Sequence, residues 1–303
     1  MEYIIETENI SKYYGNLKAV DNVSLGVKKG EIYGFLGLNG AGKTTTIRML
    51  LGMISPSTGI VCINGRKVSP AEKRLWEKVG YLVEIPYAYP ELTVRENLWL
   101  FCKLRMIHNS LADKIIDKLK LTQYRNVKAG HLSQGNLQRL GIARALMHNP
   151  DILILDEPAN GLDPAGIVEM RELLKELASN EGKTIFISSH ILAEISKMAD
   201  RIGIIHQGRL VKEMDDTQLE KEREKKLVVS TRRNEVAFSI LTEAGYKVKS
   251  TKRGWLEVND EMAIEFPEKV ATLLVQNKTP PFMLNVEVED LESYFLRIIG
   301  GKK

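Results

Sequence analysis

The stretch Gly37-Leu38-Asn39-Gly40-Ala41-Gly42-Lys43-Thr44 constrains this chain more than any other. It fits the spacing G-x-x-x-x-G-K-[ST] and stands between a short apolar run, Ile32 to Leu36, and a helix-forming run, Thr44 to Leu51. Glycines in such a turn let the backbone approach an anion closely and aim its N–H groups at phosphate oxygens. The start of the following helix adds the positive end of a dipole. Lys43 is placed to reach β- and γ-phosphates, and Thr44 to hold Mg²⁺. Gly37, Asn39, Gly40, Ala41, Gly42, Lys43, Thr44 and Thr45 are therefore candidate phosphate-binding residues. The competing reading is a Gly-rich turn with no ligand, which the strand before and the helix after make the weaker one.

The rest of the chain supplies a setting for that turn. Alternation in Tyr3-Ile4-Ile5-Glu6-Thr7 and from Ala19 to Val27 predicts strands, and Pro56 to Gly59 predicts a turn. Thr93-Val94-Arg95-Glu96 is a capping box ahead of a helix ending near Arg105. Ser110 can cap a second helix through Lys120, and a third begins near Asn136. Strands and helices then alternate: strand Ile152–Leu155, helix Pro164–Ser179, strand Thr184–Ser188, helix Leu192–Ala199, strand Arg201–His206. That alternation predicts an α/β domain with a largely parallel sheet, over residues 1–214, with a helical insert at about 86–149. The charged residues 215–226 are expected to be a helical linker. Beyond it, strand (227–231), helix (234–244), strand (246–250), strand (254–258), helix (266–276), strand (282–288) and helix (290–299) predict a small α+β domain at 227–303, in a ferredoxin-like order.

With 44% hydrophobic residues, the 303-residue chain can bury a sizeable core, which excludes a disordered class. Cys62 and Cys102 are too few for a disulfide framework or a cysteine zinc site. The N-terminus lacks the basic and apolar regions of a signal peptide, and no apolar run approaches the ~20 residues of a spanning helix, so a cytoplasmic location is expected. A net charge of +4 gives no argument for a nucleic-acid partner.

Ile152-Leu153-Ile154-Leu155-Asp156-Glu157 is an apolar strand ending in two carboxylates, the Walker B pattern. Strand alternation sends the two side chains to different sides, which permits Asp156 to orient Mg²⁺ and Glu157 to act as general base or to position water. Alone, such an ending is more often simple polar capping. Leu132-Ser133-Gln134-Gly135-Asn136-Leu137-Gln138-Arg139 resembles the LSGGQ signature of ATP-binding cassette (ABC) ATPases, with Ser133 and Gly135 matching and Gln134 and Asn136 departing. Taken alone, Ser133 would be read as an ordinary helix cap. Tyr14 is similar to the family's adenine-stacking aromatic, although Tyr13 is a rival and a core aromatic is the bland alternative. Asn160-Gly161-Leu162-Asp163 resembles the D-loop, and His190 in Ser188-Ser189-His190 resembles the switch histidine that contacts the γ-phosphate.

Where the family usually carries the Q-loop glutamine, this chain carries Glu84, followed by Ile85-Pro86. That segment resembles the glutamate-bearing loop of the subgroup that exports bacitracin or confers lantibiotic self-immunity; the alternative is neutral drift among general ABC exporters. The resemblance covers about residues 1–214. It implies a P-loop ABC-type nucleotide-binding domain, ATP and Mg²⁺ as cofactors, Glu157, His190 and Glu84 as catalytic residues, and Thr44, Glu84 and Asp156 around the metal. It also implies a homodimer in which Ser133 and Gly135 complete the partner's site, a separate transmembrane permease that keeps the chain on the inner membrane face, and no nucleic acid. A soluble ABC ATPase of repair, translation or regulatory type is the alternative. Such proteins typically carry two cassettes, zinc insertions or long coiled coils, and the sequence has none of these.

Overall fold

Five parallel strands carry the glycine-rich turn at residues 37–44. The computed structural model describes residues 3–69, 72, 76–84, 87–251 and 253–300. They fall into two compact units, Met1–Thr217 and Gln218–Lys303.

In the first unit, β3 (Ile32–Leu36), β6 (Val79–Leu82), β7 (Ile152–Asp156), β8 (Thr184–Ser189), β9 (Arg201–His206) and β10 (Arg209–Asp215) form one sheet, ordered β10-β9-β3-β8-β7-β6. All neighbours are parallel except β10 and β9, which form a hairpin. Strands β3 and β7 are buried at every position, as expected where both faces are covered. Phe186 sits between Tyr33 and Phe35, with ring centroids 5.6 and 5.3 Å away. A second sheet, β2-β1-β4-β5, is antiparallel and is built from β1 (Tyr3–Tyr14), β2 (Leu17–Lys28), β4 (Thr58–Ile63) and β5 (Arg66–Lys67). The turn expected through Gly59 is instead the start of β4. Thr58 pairs with Ser11, and a bulge in β1 between Glu8 and Ser11 accommodates it.

The register lines up the carboxyl ends of three strands. Leu36 stands opposite Ser189, and Asp156 opposite Ser188. In parallel sheets the crevice beyond such ends is where ligands bind.

Helices α1 (Lys43–Leu50), α2 (Val94–Arg105), α3 (Ser110–Lys118) and α4 (Gln134–Leu146) follow in chain order. The capping box of α2 is formed: Thr93 Oγ1 accepts from the Glu96 N–H at 3.2 Å, and Glu96 Oε2 accepts from the Thr93 N–H at 2.8 Å. Ser110 is the first residue of α3, not its cap, because Asn109 already has helical backbone angles. Helix α4 begins two residues earlier than expected, since Ser133 caps it by accepting from the Asn136 N–H at 3.3 Å. The residues that open the expected insert, Ile85 and Pro86, lie outside those described. Asp163 caps α5 (Pro164–Ser179) through the Gly166 N–H. The expected helix from Leu192 to Ala199 shortens to α6 (Leu192–Ile195). Helix α7 (Asp216–Glu222) spans the division between the units.

The second unit contains β11 (Lys225–Thr231), α8 (Asn234–Glu243), β12 (Val248–Ser250), β13 (Leu256–Val258), α9 (Glu261–Glu265), α10 (Pro267–Gln276), β14 (Pro281–Val288) and α11 (Leu291–Gly300). Its sheet runs β12-β13-β11-β14, antiparallel throughout, which is the expected ferredoxin-like order. The charged stretch expected to run to residue 226 gives its last two residues to β11. Lys226 is drawn into the sheet by carboxylates on both neighbouring strands, Glu257 at 2.5 Å and Glu287 at 3.7 Å. Leu227, Val229, Leu241, Val258, Val270 and Leu274 make its core.

Candidate functional site

A cleft of about 730 Å³ opens at the aligned strand ends, within the size range of small-molecule sites. Tyr14, Asn39, Gly40, Gly42, Lys43, Thr44, Thr45, Glu157 and His190 line it, together with Asn160 and the 207–208 turn. The turn after β3 is shaped by Gly42, whose φ of 109° and whose 2.6 Å approach to the Ala19 carbonyl at the Cβ position both exclude a side chain. Helix α1 starts directly behind it.

The polar groups form one connected network. Lys43 is 6% exposed; its Nζ donates to the Gly37 carbonyl at 2.6 Å and the Leu38 carbonyl at 3.3 Å, and lies 3.1 Å from Glu157 Oε1. The other carboxylate oxygen of Glu157 is 2.7 Å from His190 Nδ1. Thr44 Oγ1 donates to Asp156 Oδ2 at 2.8 Å, so two hard oxygen donors face each other, the chemistry Mg²⁺ prefers. Asp156 Oδ1 accepts from Ser188 Oγ at 2.5 Å, and that hydroxyl in turn accepts from the Glu157 N–H at 3.0 Å. Ser188 thereby fixes Glu157 in a left-handed conformation, φ 48°, that turns its side chain toward Lys43.

Tyr14 lines the cleft and Tyr13 does not; Tyr13 instead has the Lys18 ammonium 5.8 Å from its ring centre. Glu84 is not among the lining residues. Its backbone is left-handed, φ 60°, and its carboxylate pairs with Arg48 on α1. Ser133 and Gly135 stand at the start of α4, also outside the lining of this cleft.

Sequence reasoning missed Ser188, Arg48 and the 207–208 turn. Gly208 donates its N–H to the Ala41 carbonyl at 2.9 Å, and its own carbonyl accepts from the Asp21 N–H at 2.8 Å. The signal was present: Gln207-Gly208 between two apolar runs is a two-residue hairpin turn, with φ of 48° and 79°.

A smaller hollow of about 140 Å³ lies between the end of β6 and α4, lined by Tyr81, Tyr87, Phe101, Arg105, Arg144 and His148. Phe101 lies between the Arg105 and Arg144 guanidinium groups, at 5.5 and 5.4 Å. Burial, and then the Arg105 charge, push His148 below its ordinary value. No helix among the described residues is long and apolar enough to cross a membrane.

The ABC transporter family profile matches residues 20–160. The bacitracin transport ATP-binding protein of Bacillus licheniformis is 42% identical over 99% of this chain and 99% of its own length. The lantibiotic transport ATP-binding protein of Streptococcus pyogenes is 37% identical over 70% of this chain and 91% of its own. Among solved structures, a dimeric ATP-binding cassette in a post-hydrolysis state, bound to ADP and Pi, superposes with a TM-score of 0.64 at 27% identity, covering 70% of this chain and 98% of that one. The expected fold class, a P-loop ABC-type domain with a helical insert and a small α+β domain, is the one observed. With likeness of this extent along its whole length, the chain belongs to the ABC transporter family, as an ATP-hydrolysing cassette subunit.

Proposed function

We propose that this ATPase powers an exporter of a peptide antibiotic of the bacitracin or lantibiotic kind. The observation that carries the cargo class is the extent of the likeness: the Bacillus licheniformis relative is matched through residues 218–303 as well as through the cassette. Co-expression of the chain with its permease should raise the survival of cells exposed to bacitracin. Unchanged survival against bacitracin and against a lantibiotic, with the complex present in the membrane, removes the cargo assignment.

In this reading the cleft holds ATP with its base on Tyr14 and its phosphates along Gly37 to Thr45. Thr44 and Asp156 would hold Mg²⁺, which supplies positive charge for phosphoryl transfer. Glu157 takes the proton of the attacking water, and His190 orients the Glu157 carboxylate through the 2.7 Å contact. Asp156 keeps its position through Ser188 and Thr44. Glu84 joins the site only on leaving Arg48, which suits a residue that reports engagement of the permease rather than one that carries the basal chemistry.

The site is completed by a second copy. Ser133 is exposed at the start of α4 and outside the lining of its own cleft, a placement suited to the γ-phosphate of a facing protomer. Closure then follows from contacts on both sides of one phosphate, and hydrolysis releases them. The permease docks at the hollow beside Glu84, where Tyr87, Phe101, Arg105 and Arg144 offer aromatic and cationic groups, and holds the chain at the inner face of the membrane. The first unit, to Thr217, is the hydrolysing domain and the second, from Gln218, an accessory domain, with α7 spanning the division between them.

A further inference from the structure

The sheet of the second unit has two edges, β12 and β14, and they differ. The edge at β12 is three residues long, Val248–Ser250, and carries Lys249, the short and charged form in which an open edge does little harm. The edge at β14 is eight residues long, Pro281–Val288. From Met283 to Val288 it keeps register with β11 without a bulge. It contains no Lys or Arg, and its one charge, Glu287, is turned back across the sheet to Lys226 at 3.7 Å. No strand lies along its outer side among the described residues. Such an edge is a template for a further strand.

The side chains of β14 say which strand fits. Alternate residues share one side of the sheet. Leu284 and Val286 pack on the core of this unit, and Phe282 and Val288 extend the same row at its two ends. Those two ends are bare, with Phe282 69% and Val288 39% exposed. The row is palindromic about Asn285, itself exposed: Leu284 and Val286 flank it, and Phe282 and Val288 lie equally far beyond. A strand laid antiparallel on this edge, centred at Asn285, must offer an apolar residue at each of those four places. A second copy of β14 does so. Phe282 then meets Val288 of the other copy, Leu284 meets Val286, and Asn285 meets itself, the isologous pattern of a two-fold axis.

We propose that β14 is a contact between two copies of this chain, pairing antiparallel with β14 of the second copy about Asn285, so that the two four-stranded sheets become one. This rests on the two-copy arrangement proposed above and adds to it an interface outside the cassette. One strand pair is a small interface. It acts as a second grip: cassettes joined by ATP raise the local concentration of the edges, and joined edges slow the parting of the cassettes after hydrolysis.

The test uses full-length Glu157→Gln chains with ATP, carrying Cys62→Ser and Cys102→Ala so that an added thiol stands alone. Under mild oxidation Asn285→Cys should link to itself, since directly opposed α-carbons lie about 4.5–5.5 Å apart. Phe282→Cys alone and Val288→Cys alone should not link, because the equivalent α-carbons stand roughly 20 Å apart along the strand pair. Mixed together, those two chains should link. In sedimentation, Asn285→Lys should weaken dimerisation by roughly 2–5-fold through like charges at the axis, and mixing it with Asn285→Asp should restore it. Asn285→Cys chains that stay unlinked while the parent is dimeric overturn the strand pairing and leave the two-copy reading standing. Phe282→Cys linking to itself as readily as Asn285→Cys overturns it as well, and so does Asn285→Cys linking only to the permease in the membrane complex. A parent that remains monomeric with ATP removes the two-copy reading, and the strand pairing with it.

Discussion

The Lys43 ammonium lies 3.1 Å from Glu157 Oε1, so the cation proposed for phosphate and the carboxylate proposed for water neutralise one another across the cleft. Incoming phosphate must compete with Glu157 for Lys43. Glu157→Gln removes the competitor's charge and the base together. ATP affinity should hold or rise, while turnover falls by about 10²–10⁴-fold. Nucleotide titration and steady-state hydrolysis on the same preparation check both halves, and turnover within twofold of wild type sinks the assignment. Lys43→Ala should instead weaken binding and abolish hydrolysis.

Arg48 and Glu84 form an exposed ion pair, a class typically worth about 0–1 kcal/mol, so little is needed to part them. Glu84→Gln should keep ATPase within a few-fold, because Glu157 remains. Glu84→Ala should leave ATP binding intact and impair transport most. Arg48→Ala should release the carboxylate and alter how strongly the permease stimulates hydrolysis. ATPase of the purified complex, paired with drug survival of cells, separates these effects. Wild-type resistance in Glu84→Ala cells makes the glutamate incidental.

Because Ser133 stands outside the lining of its own cleft, two damaged copies should repair each other. A mixture of Ser133→Arg chains with Lys43→Ala chains contains heterodimers with one intact composite site and one doubly damaged site. Partial ATPase recovery over either protein alone is the expected reading. Crosslinks joining Ser133 to the phosphate turn of its own chain contradict the arrangement.

In the second unit, Arg297 donates to both oxygens of Glu289, from Nε at 2.9 Å and Nη2 at 2.7 Å. That bond, chiefly, holds the Glu289 carboxyl below its ordinary 4.5. A depressed carboxyl contributes stability that is whole above 4.5 and drains away as pH falls through the lowered folded value. Glu289→Gln should therefore cost about 1–3 kcal/mol at pH 7 and progressively less below pH 4.5. Chemical denaturation at pH 7 and pH 3.5 measures it, and an equal cost at both values removes the ionic explanation.

Much of this was readable from residue order. The turn at 37–44, the Asp156-Glu157 ending and the Thr93–Glu96 box are local patterns whose chemistry needs no distant partner. Ser188 was not readable as a link, because its importance lies in standing opposite Asp156 across a strand pair formed by residues 32 apart in sequence. The same holds for Arg48, which is simply a basic residue of α1 until Glu84 is folded against it. The β4 start was lost to Pro56–Gly59, where turn-forming residues open a strand because Ser11 supplies a partner. Lys226 was assigned to a linker because only the folded sheet sets Glu257 and Glu287 on either side of it.

The hairpin tip at Gln207-Gly208 invites a practical misjudgement. Polar two-residue tips are normally where a tag, a fluorophore or an inserted peptide does least harm. This one is stapled on both sides, to Ala41 and to Asp21, and it forms a wall of the nucleotide cleft. A label introduced there would report on ATP by interfering with it, and a sensor of nucleotide occupancy would be better engineered at that tip than on any loop chosen for its distance from the chemistry.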